Sequence, residues 1–224
     1  MSYGSNGSVI GPENAPTASA ASGVWSLGEL AEARRDGIWP MPPDDWAFIA
    51  KHVADGTTAS YDFTSIPQTY RDLRLVGSLA RNVTSNSQVR FFIDIGSGID
   101  TTLTNYGSEQ VYGNSSAYGS FQLSRYTNRP GFFGDWPSNT AANTANSFIM
   151  DFHDYADSSK IASAILFQNG YKVDSASYFV MHGGWMHDPA GAIQGIRVEG
   201  ETTTSNYYYS APTTFSLFGR GTPD

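Results

Sequence analysis

The chain has 224 residues, 40% of them hydrophobic and only 15% charged, with a formal net charge of −8, a pI near 4.8 and no cysteine. It is shorter than a typical (β/α)₈ barrel of about 250 residues, its acidic balance argues against nucleic acid, which draws clustered Lys and Arg, and the missing cysteines exclude disulfides, thiolate zinc sites and thiol catalysis. No apolar run approaches the ~18 residues of a membrane span, and the opening MSYGSNGSVIGPENAP lacks the basic start and apolar stretch of a secretory signal.

Residues 1–23 read as an extended arm, dominated by Gly, Ser, Asn, Ala and Pro, with Val9 and Ile10 its larger aliphatic residues. Such a segment alone cannot bury enough apolar area to offset its ordering entropy, so its order is expected to come from neighbouring subunits. Residues 24–59 read as a helical anchor in two pieces. Ser26 and Glu29 form a capping box, and Trp25 and Leu30 are placed for a hydrophobic staple. Leu27, Leu30, Ala31 and Arg34 keep helical spacing, Gly37 suits a left-handed C-terminal position, and Ile38, Trp39 and Pro40 follow. The second piece is predicted from Pro43-Asp44-Asp45 to Gly56, with Phe48, Ile49, His52 and Val53 as its apolar stripe. Trp25, Trp39 and Trp46 load this short stretch heavily. They can pack on the following domain, or anchor the chain in a partner together with Leu27, Leu30 and Ile38, since Trp is favoured at interface hot spots.

Residues 60–224 read as a β domain. The 57 Ser, Thr and Asn residues and 23 Gly supply turns, while 13 Tyr, 13 Phe and the threonines suit a pleated surface. Arg71–Ser78 places Leu73 and Leu75 on one face, and Gln88–Ile95 alternates Val89, Phe91, Ile93 and Ile95 with Arg90, Phe92 and Asp94. Ala117–Tyr126 alternates around Phe121 and Leu123, and Phe148–Tyr155 sets Phe148, Met150 and Phe152 against Ile149, Asp151 and His153. Ile161–Phe167 offers Ile161, Ile165 and Phe167, and Tyr178–Met181, Ile193–Val198 and Thr214–Phe218 complete the strands. About eight short strands without helical patterns between them predict a mainly β chain, an antiparallel jelly-roll-like β-sandwich preceded by the arm and two short helices.

Enzymatic nucleophile motifs are absent. There is no G-x-S-x-G elbow and no phosphate-cradling Gly-Lys-Ser/Thr loop. HGGWMHD (182–188) carries three possible ligands, His182, His187 and Asp188, but its two glycines predict a turn with histidines at its edges around a core Trp185. Asp151 and His153 share a strand face that Asp154 opposes, and a His–Asp pair without a placed Ser is weak evidence for catalysis. Asp94 and Asp100 bracket a glycine-rich stretch that matches no EF-hand loop and reads as a solvated turn rather than a calcium site. No metal and no cofactor is expected. Tyr207, Tyr208 and Tyr209 cannot all point inward on one strand; Tyr207, Tyr208 and Trp136 are candidate contacts, for another subunit first and a sugar ring second.

FTSIPQTYRDLRLVGSLAR (63–81), FIMDFHDYADSSKIASAI (148–165), GGWMHDPAGAIQGIRV (183–198) and TTFSLFGRG (213–221) together resemble a β-sandwich module of tailed-bacteriophage virion proteins, especially those of aquatic phages. SGVWSLGELAEARRDGIWP (22–40) is similar to a short segment of phage structural proteins. The resemblance implies a non-enzymatic virion structural protein, made in the host cytoplasm and resident in the particle, with no catalytic residues to transfer. Within it, the chain is expected to be a homo-oligomeric capsid decoration or head appendage that binds other virion proteins through its N-terminal arm and helices. The alternative is a tail fibre or tail-tip protein that binds a receptor or host surface glycan. A depolymerase is a minor option, because no pair of carboxylates is named by the sequence.

Overall fold

The computed structural model describes residues 45–79, 89–114, 122–127, 131–132, 146–172, 177–200 and 213–221. They carry strands β1 (Ala47–Val53), β2 (Ser60–Phe63), β3 (Asp72–Leu79), β4 (Val89–Asp94), β5 (Tyr106–Asn114), β6 (Gln122–Thr127), β7 (Gly131–Phe132), β8 (Asn146–Phe152), β9 (Ala162–Lys172), β10 (Ser177–His187), β11 (Gly195–Gly200) and β12 (Thr214–Arg220). One 3₁₀ turn, Leu103–Asn105, leads into β5. The strands form an eight-stranded sheet, ordered β1-β12-β3-β8-β9-β10-β5-β6, and a four-stranded sheet, ordered β2-β11-β4-β7. Every pairing is antiparallel.

Period-two alternation is what builds the layers. In β8, Asn146, Phe148, Met150 and Phe152 are buried while Ser147, Ile149 and Asp151 point the other way. Leu73 and Leu75 of β3 and Phe215 and Leu217 of β12 join them on the inner face of the large sheet. The small sheet answers with Phe63, Phe91, Ile93, Ile196 and Val198. The two inner faces meet in a sandwich: Phe91 packs edge-on to Phe148 with centroids 5.3 Å apart, and Tyr61 lies 5.6 Å from Phe215. Gly77 makes room for this packing. It pairs with Phe148 across the ladder, and a Cβ on it would lie 2.0 Å from the Phe148 ring.

Several expectations are corrected here. The second predicted helix is strand β1 over Ala47–Val53, paired with β12. Apolar residues at 48, 49, 52 and 53 satisfy a helical stripe, but a register shift between Phe48 and Ala50 lets a strand split them. Phe48 and Val53 then face outward opposite Phe218 and Thr214, and His52 faces inward opposite Phe215. The compact strand-built unit therefore begins at Trp46 rather than residue 60. The arm (1–23) and the first predicted helix lie outside the described residues. HGGWMH is no turn but the end of β10, with Trp185 buried in the core. In β9 the expected apolar face is the outer one: Ile165 and Phe167 are exposed, while Ala162, Ala164 and Leu166 face the core. Ile161, also exposed, precedes the strand. Strands β1, β2, β5 and β7 add to those the sequence suggests, and the described part of Ala117–Tyr126 falls in β6, Gln122–Thr127.

Candidate functional site

The outer face of the large sheet concentrates what the core did not absorb. Ten large hydrophobic residues are exposed among the described ones; all but Leu103 and Ile161 project from this face, namely Phe48, Val53, Val111, Ile149, Ile165, Phe167, Val180 and Met186. The register lines them up in rows. Val76, Ile149, Phe167, His182 and Val111 lie opposite one another across β3, β8, β9, β10 and β5. Within that row the Phe167 and His182 rings stack, 4.4 Å apart and 14° from parallel. The next row runs Arg74, Asp151, Ile165, Gly184 and Glu109. Phe167 is 54% and Val180 67% exposed, so these are large apolar groups left in water, not half-covered rims.

Between the ridges lie troughs. A groove of about 600 Å³ runs over Gly107 and Gly184, walled by Ile165, Met186, Glu109 and His153. Gly184 forms its floor, and a Cβ there would meet nothing within 4 Å. A mid-strand glycine sacrifices packing and often marks close approach by another group. Smaller hollows of about 310 and 230 Å³ flank it, one beside Val111 and His182, the other beside Ile149, Phe167 and Val180.

A charged corner closes the face at β3, β8 and β12. Arg74 grips Asp151 through two hydrogen bonds of 2.6 Å, which hold the guanidinium pKa above its ordinary value. Asp72 is buried under Arg71, Arg220 and His153, at 3.2, 2.9 and 3.6 Å. Burial works to raise its pKa, yet the hydrogen bonds from Arg71 and Arg220 outweigh it and leave the carboxyl below its ordinary value. Trp46 lies against Arg74 and Arg220, whose guanidinium carbons sit 4.3 and 4.6 Å from its ring centroid. Of the two roles the sequence leaves open for Trp46, these contacts belong to packing on its own sheet.

The ionisable residues singled out by the sequence do not converge. His182 and His187 are five positions apart on one strand, so they lie on opposite faces of the sheet and cannot share an ion. His187 is fully buried; its Nε2 lies 2.9 Å from Oδ2 of Asp100, which also accepts from Asn105 Nδ2 at 2.7 Å. Burial pushes the Asp100 pKa up, but these hydrogen bonds and one from Thr102 N–H hold it well below its ordinary value. With the imidazole sealed inside, the pair clamps the loop after β4 onto β10. Asp94 accepts from the N–H groups of Gly96 (2.7 Å) and Gly98 (2.9 Å), a self-capped turn. Asp151 is engaged by Arg74, His153 leans toward Asp72, and Asp154 pairs with Lys160 at 2.9 Å. No group of three or more His, Cys, Asp or Glu positioned for a metal occurs among the described residues.

Trp25, Leu27, Leu30, Ile38, Trp39, Trp136, Tyr207 and Tyr208 lie outside the described residues. The sequence reading missed the Phe167–His182 stack and the Gly184 groove. The signal available was β9 itself, whose larger side chains alternate with alanines. No protein-family model matches this chain, and no curated protein matches it.

Proposed function

We propose that this chain is a non-enzymatic structural subunit of a bacteriophage particle, built on a jelly roll and carried as a capsid decoration or head appendage. One observation carries the reading: the winding of the strands. Set aside the hairpins β5–β6 and β9–β10, and number the eight remaining described strands one to eight in chain order. The large sheet then reads 1-8-3-6 and the small sheet 2-7-4-5. A hairpin of four long arms folded over on itself gives this succession, the double Greek key found in viral capsid domains, lectins and cupins. The interior favours the structural member of that set. Among the described residues its centre is packed with Phe91, Phe148, Phe152, Phe215 and Trp185. The resemblance in 63–81, 148–165, 183–198 and 213–221 points the same way.

A tail-tip receptor or glycan-binding protein is the second reading, favoured by the groove over Gly184. Quantitative mass spectrometry of purified particles from cells expressing the chain tests both. Hundreds of copies per particle mean capsid, a handful mean tail, and absence from the particles overturns the proposal.

A further inference from the structure

We infer that two copies of this chain pair face to face through the outer surfaces of their eight-stranded sheets, with the Phe167–His182 row at the centre. The inference does not depend on a viral origin. Three features select a second copy as the occupant.

Charge comes first. The chain carries a net charge of −8, so two copies repel over most of their surfaces. The described side chains of this face balance: Lys51, Arg74 and Arg220 against Asp72, Asp151 and Glu109. Arg74–Asp151 and Arg220–Asp72 already neutralise each other within one copy. This face is thus a place where two acidic chains can meet without accumulating like charge.

Shape comes second. One surface carries both ridges and troughs. Ile149, Phe167, Val180 and Met186 stand up from it, and the hollows over Gly184 and beside Val111 sink into it. A two-fold axis brings the ridges of one copy over the troughs of the other, as an isologous contact requires. Twisted sheets stack in this manner at about −30°, roughly 10 Å apart, inside every aligned sandwich.

Area comes third. Seven strands with described outward side chains, about 4.8 Å apart and about seven residues long, span roughly 34 by 23 Å, or close to 800 Å². That equals the area each partner buries in a standard specific interface.

Sedimentation velocity on the full chain tests the inference. At roughly 10 µM, where even a micromolar interface of this size is half-filled or better, a dimer is expected. Phe167→Asp and Ile149→Asp each bury an unpaired carboxylate in the proposed contact, and each is expected to weaken the dimer by roughly a hundredfold. Ile161→Asp, an equally exposed apolar site off the strands, is expected to leave it intact. Circular dichroism and melting temperature check that all three variants stay folded. Because the chain has no cysteine, single Ser163→Cys, Asn169→Cys and Ser147→Cys variants give an independent reading. At least one is expected to form a covalent dimer under mild oxidation, and Thr57→Cys, in a loop, none. A monomer at every concentration, an oligomer untouched by Phe167→Asp and Ile149→Asp, or cross-linking confined to Thr57→Cys overturns the inference.

Discussion

Gly77 gives the sharpest test of how the sandwich is packed. A Cβ at this position would lie 2.0 Å from Cε1 of Phe148 and 2.7 Å from Cδ1 and Cζ. The ring cannot retreat, because it is 1% exposed and held against Phe91 at 5.3 Å and Phe215 at 6.4 Å. Gly77 does not have a left-handed φ, so alanine itself fits the backbone there. The Gly77→Ala variant is therefore expected to lose about 1–3 kcal/mol by overpacking, set against a gain of about 0.4–1 kcal/mol from a stiffer unfolded chain. Phe148→Ala opens a cavity and should cost about 3–5 kcal/mol. In the double variant the clash is gone, and adding Gly77→Ala to Phe148→Ala should be neutral or stabilising. Urea denaturation of the four proteins reads the coupling, expected at about 1–3 kcal/mol in favour of the double variant. Strictly additive costs would refute the packing argument.

Four further outcomes follow from the geometry. Asp72→Ala removes the acceptor shared by Arg71 and Arg220 and should cost roughly 2–3 kcal/mol in thermal denaturation, the worth of a lost charged hydrogen-bond partner. Asp72 and Asp100 are both held below the ordinary 3.8. Their stabilisation is complete above that unfolded value and disappears as pH falls through the lower folded values, so stability should drop below pH 3.8. Asp100→Asn, measured by pH-dependent melting, should flatten that acid limb; an unchanged limb would remove Asp100 as one of its causes. His187→Ala should raise hydrogen exchange in 96–105 while the paired core of β8 and β9 stays protected; uniform loosening of the whole unit would contradict a local clamp. A chain starting at Trp46 should fold with near-full stability, whereas one starting at residue 60 loses β1, exposes the edge of β12 and should melt several degrees lower.

Much of the fold can be read without coordinates wherever alternation is strict. Phe148, Met150 and Phe152 against Ile149 and Asp151, or Leu73 and Leu75 in β3, announce both a strand and its inner face. The reading fails where a local pattern serves two periods or where long-range pairing decides. Residues 48–53 suit a helical stripe, and only the ladder to β12 makes them a strand. The glycines of β10 mimic a turn locally, but 11 residues of antiparallel register with β9 carry them through as strand. Strand β5, YGSEQVYGN, has too few apolar residues to announce itself; its inner face uses Ser108 and Gln110. The charged corner was invisible for another reason: Asp72, Asp151 and Arg220 meet only because β3 lies between β8 and β12.

Strand β9 carries the last step. A strand in the outer layer of an isolated sandwich should spend its bulk inward and its polarity outward. Here the inward positions hold Ala162, Ala164 and Leu166, and the outward ones hold Ile165 and Phe167. Although their inward positions hold Phe148, Met150, Phe152, Met181 and Trp185, its neighbours also set Ile149, Val180 and Met186 outward. Leaving such residues in water forgoes about 1.5–3 kcal/mol for each side chain that could be buried. The inserted hairpin β9–β10 thus serves both sides of the sheet: Leu166, Met181 and Trp185 go into the core, while Ile165, Phe167, Val180 and Met186 stand on the other face with the character of an inner layer. That character makes sense if the working assembly has a further layer over them, so that the insertion serves association as well as the core of one copy.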